Sequence, residues 1–212
     1  MLLQLPQALR QAYAYVQDAD LWSWKVEGSK AFGSGFKALN LELDVNKNTA
    51  AFQTLLDMSL DQLMATGAAL LSQENDLIAS ALAGAFEVQL GGRRGAREGW
   101  GRALAVRIDE GMSKHRSRLG NELAALSASR GLKPIAVVAY RETGMADPSL
   151  IKLSLRGRDE GEGEGEGGNT VAEASETDTT PISTAFGGGG HRLASSCIVP
   201  NSEFESWLLP AA

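Results

Sequence analysis

Two hydrophobic periodicities divide the 212-residue chain. Up to about residue 86, apolar side chains recur every three or four positions, the spacing of a helix that buries one face. Leu9 to Val16 predicts a helix running into Gln17-Asp18-Ala19-Asp20, and residues 28–38 predict a turn and a short helix carrying Phe32 and Phe36. From Thr49 the period continues through Phe52, Leu55 and Leu56, then Leu60, Leu63, Met64, Leu70, Leu71, Ile78 and Leu82. Ser59 and Gln62 have the spacing of a capping box, which predicts a long helix from near Leu60 to about Phe86.

Beyond that point the period shortens to two. Leu104 to Ile108 alternates as a strand does, and Ile135 to Tyr140, after Pro134, is the unbroken apolar run of a fully buried strand. Ile151, Leu153 and Leu155 alternate with Lys152, Ser154 and Arg156, which places the last three on one face of a strand. Between the first two strands, Leu119, Leu123 and Leu126 predict a helix that starts at Ser113 or Ser117 and stops at Gly131. Gly91 to Gly101 reads as a glycine- and arginine-rich loop, Ala194 to Val199 as a last strand, and Phe204, Trp207, Leu208 and Leu209 as a closing helix. The fold class this predicts is α/β: a helical connector, then a small domain on a mixed sheet of about five strands.

Composition interrupts the pattern once. Residues 157–180 alternate Gly and Glu and then run through Ala, Ser, Thr and Asp, so they offer too little apolar surface to order themselves and predict a disordered insertion. Residues 159–178 carry eight acids and no base, which leaves 20 bases against 18 acids elsewhere in a chain of net charge −6. Residues 91–118 hold eight Lys and Arg against three acids. An anionic ligand is therefore compatible with the acidic whole. No apolar run reaches the length of a membrane span, and the amino end lacks the pattern of a secretory signal. Cys197 is the single cysteine, which excludes an internal disulfide and a cysteine-rich zinc site. A reducing compartment such as the cytoplasm is the expectation.

The candidate chemistry lies in Phe186-Gly187-Gly188-Gly189-Gly190-His191-Arg192-Leu193-Ala194-Ser195-Ser196-Cys197. Four bare glycines can turn their amides toward an anion, and an imidazole and a guanidinium follow directly. A flexible linker is the competing reading of such a run, but the strand pattern that continues from Ala194 argues against it. Arg156 shares a strand face with Ser154 shortly before the run, and its planar fork suits a phosphate.

Gly188-Gly189-Gly190-His191-Arg192-Leu193-Ala194-Ser195-Ser196 resembles the G-G-G-H-x-x-A-[AS]-G signature of the DHH-associated domain, the carboxyl lobe of DHH phosphoesterases such as RecJ and the nano-RNases. Ile151-Lys152-Leu153-Ser154-Leu155-Arg156 is similar to the strand that precedes the signature, and Leu119 to Ala124 to the helix between the first two strands. Tyr15 to Trp22 resembles the segment that closes the catalytic amino lobe. The resemblance implies residues 1–45 as the end of that lobe, 46–90 as a helical connector, and 91–212 as the substrate-binding domain with its insertion at about 157–180. It implies Gly188, Gly189, Gly190, His191, Arg192 and Arg156 as contacts to a substrate phosphate, with a nucleotide or short nucleic acid as partner. It also implies Asp18 as the remnant of a metal site, with Mn2+ or Mg2+ the cofactor of the complete family enzyme and none held by this chain alone.

Two departures matter. Ser196 replaces the last glycine of the signature, and the family's metal-centre pattern, an Asp-His-His triplet with an Asp-x-Asp upstream of it, is absent: Asp18-Ala19-Asp20 is the one Asp-x-Asp of the sequence, and no Asp-His-His follows it. The expectation is a binding half that does not hydrolyse as an isolated chain. The alternatives are an active phosphodiesterase whose catalytic lobe is supplied elsewhere in a longer chain or in trans, and a tRNA-contact or self-association module.

Overall fold

The computed structural model describes residues 7–21, 23, 25–158 and 177–209. The chain divides into two compact units, with the boundary between Leu77 and Ile78.

The first unit is helical. It contains α1 (Gln7–Asp20), α2 (Ser29–Ala38), α3 (Ala51–Leu56) and most of α4 (Leu60–Ala83). Tyr15, Phe32 and Leu63 form its buried centre, with the Tyr15 and Phe32 rings 5.2 Å apart. The Ser59 hydroxyl accepts the Gln62 amide at 3.4 Å and so caps α4, as the spacing predicts.

The second unit is built on one six-stranded mixed sheet in the order β1-β2-β3-β4-β6-β5. Its elements are β1 (Phe86–Gln89), α5 (Gly92–Glu98), β2 (Arg102–Arg107), a 3-10 turn (Glu110–His115), α6 (Arg116–Ser129), β3 (Ile135–Tyr140), β4 (Leu150–Gly157), α7 (Thr180–Ala185), β5 (Gly189–His191), β6 (Ala194–Pro200) and α8 (Asn201–Glu205). Only β2 and β3 run parallel, joined by the α6 crossover. All six residues of β3 are buried, as an unbroken apolar strand requires.

The alternation divides the core between the two sheet faces. Val88, Ala105, Val137, Leu153, Leu155, Cys197 and Val199 point one way and meet Ile182 of α7 together with Phe204 and Trp207. Leu104, Val106, Ala136, Val138 and Tyr140 point the other way and meet Leu119, Leu123 and Ala124 of α6.

Several expectations are corrected. The long helix ends at Ala83, and Phe86 opens a strand, because Gly84 follows the helix and Phe86 and Val88 then alternate. The expected Gly91–Gly101 loop contains α5, closed by Gly99 in the left-handed conformation. The closing helix stops at Glu205, after which Leu208 pairs with Val88 at the edge of β1. Most of the expected insertion, residues 159–176, lies outside the described residues, as do Trp22 and Trp24. Its last four residues belong to the fold: Thr177 and Thr179 are buried, and Thr180 begins α7.

Candidate anion site

The register gathers residues that the sequence scatters. Arg156 pairs with Ala194 across β4 and β6, and Ala194 pairs with His191 across β6 and β5. Two residues along the strands, Ser154, Ser196 and Gly189 form the next row on that face. Paired residues share a face, so Arg156, Ser154, Ser196 and His191 stand on the same side of the sheet. That side belongs to α6, which packs on β2, β3 and β4. Over β6 and β5 the surface is open: Ala194 and Ser196 are half-buried, and Ile198 and His191 are exposed. The result is a shallow tray walled on one side by the first turn of α6.

Arg156 is fixed at the foot of that wall. Its Nη1 donates to Ser154 Oγ at 3.1 Å and to the Leu155 carbonyl at 2.9 Å, and its Nη2 donates to Ser117 Oγ at 3.2 Å. These partners are all neutral. Burial and the nearby Arg116 cation push the Arg156 guanidinium down from its ordinary value. A half-buried cation whose hydrogen-bond partners carry no charge, with a second cation beside it, is an arrangement an anion relieves.

Two other cations of this unit are ion-paired. Lys152, on the same face, meets Glu142 at 2.6 Å, and Arg107 meets Glu205 at 2.6 Å. Arg107 and Arg141 line a groove of about 640 Å³ at the opposite end of the sheet, but Arg107 is already ion-paired there, and Arg141 donates to the Met145 carbonyl.

The glycine run is shaped by packing as much as by chemistry. The Gly187 and Gly188 amides donate to the Thr184 and Ser183 carbonyls and close the turn after α7. A Cβ on Gly188 would lie 2.0 Å from the Ser196 carbonyl oxygen, and one on Gly190 2.5 Å from the Ala194 carbonyl oxygen. Both glycines let β5 lie against β6. Gly189 has open space around it and lies in the same row as Ser154. Arg192 occupies the β5–β6 turn, with its guanidinium donating to Thr177 Oγ1 at 2.6 Å. Cys197 points into the core, and burial pushes its thiol up to about 11, so it is no nucleophile.

Asp18 lies in the first unit, buried at the end of α1. Its carboxylate accepts from Ser29 Oγ at 2.5 Å, Ser23 Oγ at 2.8 Å, the Lys25 amide at 2.9 Å and the Val26 amide at 3.3 Å. Those hydrogen bonds, led by that from Ser29, hold its pKa down at about 2 against the opposing effect of burial. They also fill the positions a metal would take. Among the described residues no group of three or more His, Cys, Asp or Glu side chains comes together. The residues around Asp18 therefore do not fit a manganese or magnesium ion.

Sequence reasoning missed Arg116, Ser117, Ser196 and the α6 wall. Ser117 was legible only as a possible helix start, and no pattern within one segment reports what a neighbouring element lays over it.

No protein-family model matches the chain, and no curated protein matches it in sequence. Among solved structures it is similar to a pGpG-specific phosphodiesterase, PggH from Vibrio cholerae, at 11% identity and a TM-score of 0.47. The match covers 95% of this chain and 65% of that one. A likeness of that size assigns neither ligand nor activity. Among the described residues no helix is long and apolar enough to cross a membrane.

Proposed function

We propose that the sheet unit binds the phosphate of a nucleotide or short nucleic acid, as the substrate-gripping half of a DHH-type phosphoesterase does. The observation that carries this reading is Arg156, half-buried, held in place by neutral partners and facing the open tray. The Cα atoms of Arg156 and His191 stand two strand spacings apart, about 10 Å. A phosphate over the small side chain of Ala194 is within reach of both. The guanidinium offers it a charge-assisted fork and the imidazole a further donor. The glycine–histidine signature, which chemistry and resemblance read alike, supports the same ligand.

In this reading the chain's own residues bind and orient the phosphate; among the described residues no group of three or more His, Cys, Asp or Glu side chains comes together to hold a metal. A complete phosphodiesterase of this kind uses manganese or magnesium, and in this reading those ions belong to residues outside these 212. The purified chain is expected to bind a 5′-phosphorylated dinucleotide and to leave it intact in manganese. Arg156→Ala and His191→Ala are each expected to weaken binding about tenfold or more, the loss of one hydrogen bond to a charged group. Equal affinity in the parent and both variants would sink the site. Manganese-dependent hydrolysis would replace the binding reading with the enzymatic one.

A further inference from the structure

Arg156 reaches the tray by an unusual path. Its side chain leaves β4 directly beneath α6, where the first turns of a helix normally present side chains to the sheet. At that point α6 carries Gly120, which is buried. A Cβ added there would lie 2.6 Å from Arg156 Cγ and 3.2 Å from Arg156 Cβ. Those atoms are the root of the side chain, so they cannot swing aside as a flexible tip could. One turn earlier, Ser117 presents its hydroxyl to Nη2. Gly120 thus leaves a channel for the methylene stem, and Ser117 holds the head at the mouth of that channel.

We propose that Gly120 is a positioning residue for the anion site: its missing side chain sets where the Arg156 guanidinium emerges. The proposal rests on the reading of Arg156 as a phosphate contact. Glycine is a poor residue for the second turn of a 14-residue helix, and alanine there would favour the helix itself. The helix gain from alanine offsets part of the clash with the Arg156 stem, so a glycine kept for that stem predicts a loss of binding that depends on Arg156 and is larger than any loss of stability.

The test is a double-mutant cycle on the full chain, titrating a fluorescent 5′-phosphorylated dinucleotide at low salt and measuring melting in parallel. Gly120→Ala is expected to weaken binding about tenfold with melting within a few degrees of the parent. In an Arg156→Ala background, Gly120→Ala is expected to change binding less than twofold, because the group it displaces is already gone. Ser117→Ala, an exposed position that leaves the packing intact, supplies a second arm. It is expected to weaken binding a few-fold in the parent and not at all in the Arg156→Ala background.

Parent-like binding by both Gly120→Ala and Ser117→Ala would overturn the proposal. So would an equal loss from Gly120→Ala with and without Arg156, which would mark a general effect on the fold. Should Gly120→Ala fail to fold, the Ser117→Ala arm decides. A parent that does not bind the probe, or an Arg156→Ala variant that binds as the parent does, overturns the phosphate site itself and the positioning role with it.

Discussion

Asp18 links the end of α1 to the start of α2. Four donors converge on its carboxylate, two of them backbone amides of the turn between the helices. Its pKa is about 2 in the folded chain, below the ordinary 3.8, so the unfolded chain binds its proton first as the pH falls. The stabilisation is complete above about pH 4 and is lost as the pH falls toward 2. Asp18→Asn keeps the size but replaces one acceptor oxygen with a donor that faces other donors. The variant is expected to melt below the parent at pH 7, with the gap closing as the pH falls toward 2, measured by circular dichroism. A gap independent of pH would mean that the carboxylate charge contributes nothing. The aspartate was legible in the sequence as a residue of note; its partners were not, because Ser29 lies eleven positions away beyond a turn.

The β5–β6 hairpin is where element-scale packing and the sequence signature come apart. The bare glycines suggested an array of amides around an anion, but two of those amides are used in closing α7. Gly188 and Gly190 are there because β6 passes too close for a Cβ. Gly188→Ala is therefore expected to destabilise by about 1–3 kcal/mol, the range of core overpacking. Gly189→Ala, with nothing within 4 Å of the added carbon, is expected to stay within about 0.5 kcal/mol. Chemical denaturation of the two variants checks this, and equal stability would remove the packing account.

The same element shows what local pattern can and cannot give. The alternation of Lys152, Ser154 and Arg156 with three apolar residues placed the polar set on one face, and that face is the one observed. The partner rows were invisible, since register across β4, β6 and β5 is a property of three strands. The four-residue β1 was hidden as well: its few residues followed a 24-residue helix whose period appeared to continue.

At the scale of the whole molecule, the chain between Arg158 and Thr177 can be treated as an exchangeable connection. A Cβ on Gly157 would lie 2.0 Å from the Thr177 carbonyl oxygen, so the two ends of the fold adjoin one another. Each end is tied to the described fold: the Arg158 amide donates to the Pro134 carbonyl, and the Thr179 amide to the Arg192 carbonyl. Closing a loop depends only weakly on its length, by about 0.6 kcal/mol per doubling. Replacing residues 159–176 with a short Gly-Ser linker is therefore expected to leave the circular dichroism spectrum unchanged and the stability within about 1 kcal/mol. The electrostatic consequence is larger. The replaced residues hold seven acids and no base, so the net charge moves from −6 to +1. A net negative chain repels an anionic ligand at distances beyond its binding site, and salt screens that repulsion over about 10 Å at 0.1 M. The shortened chain is expected to capture the phosphorylated dinucleotide severalfold faster than the parent in 10 mM salt, and at an equal rate in 0.5 M salt. Stopped-flow fluorescence separates this from a change in the tray itself, because altered contacts at Arg156 and His191 would change the dissociation rate and persist at high salt.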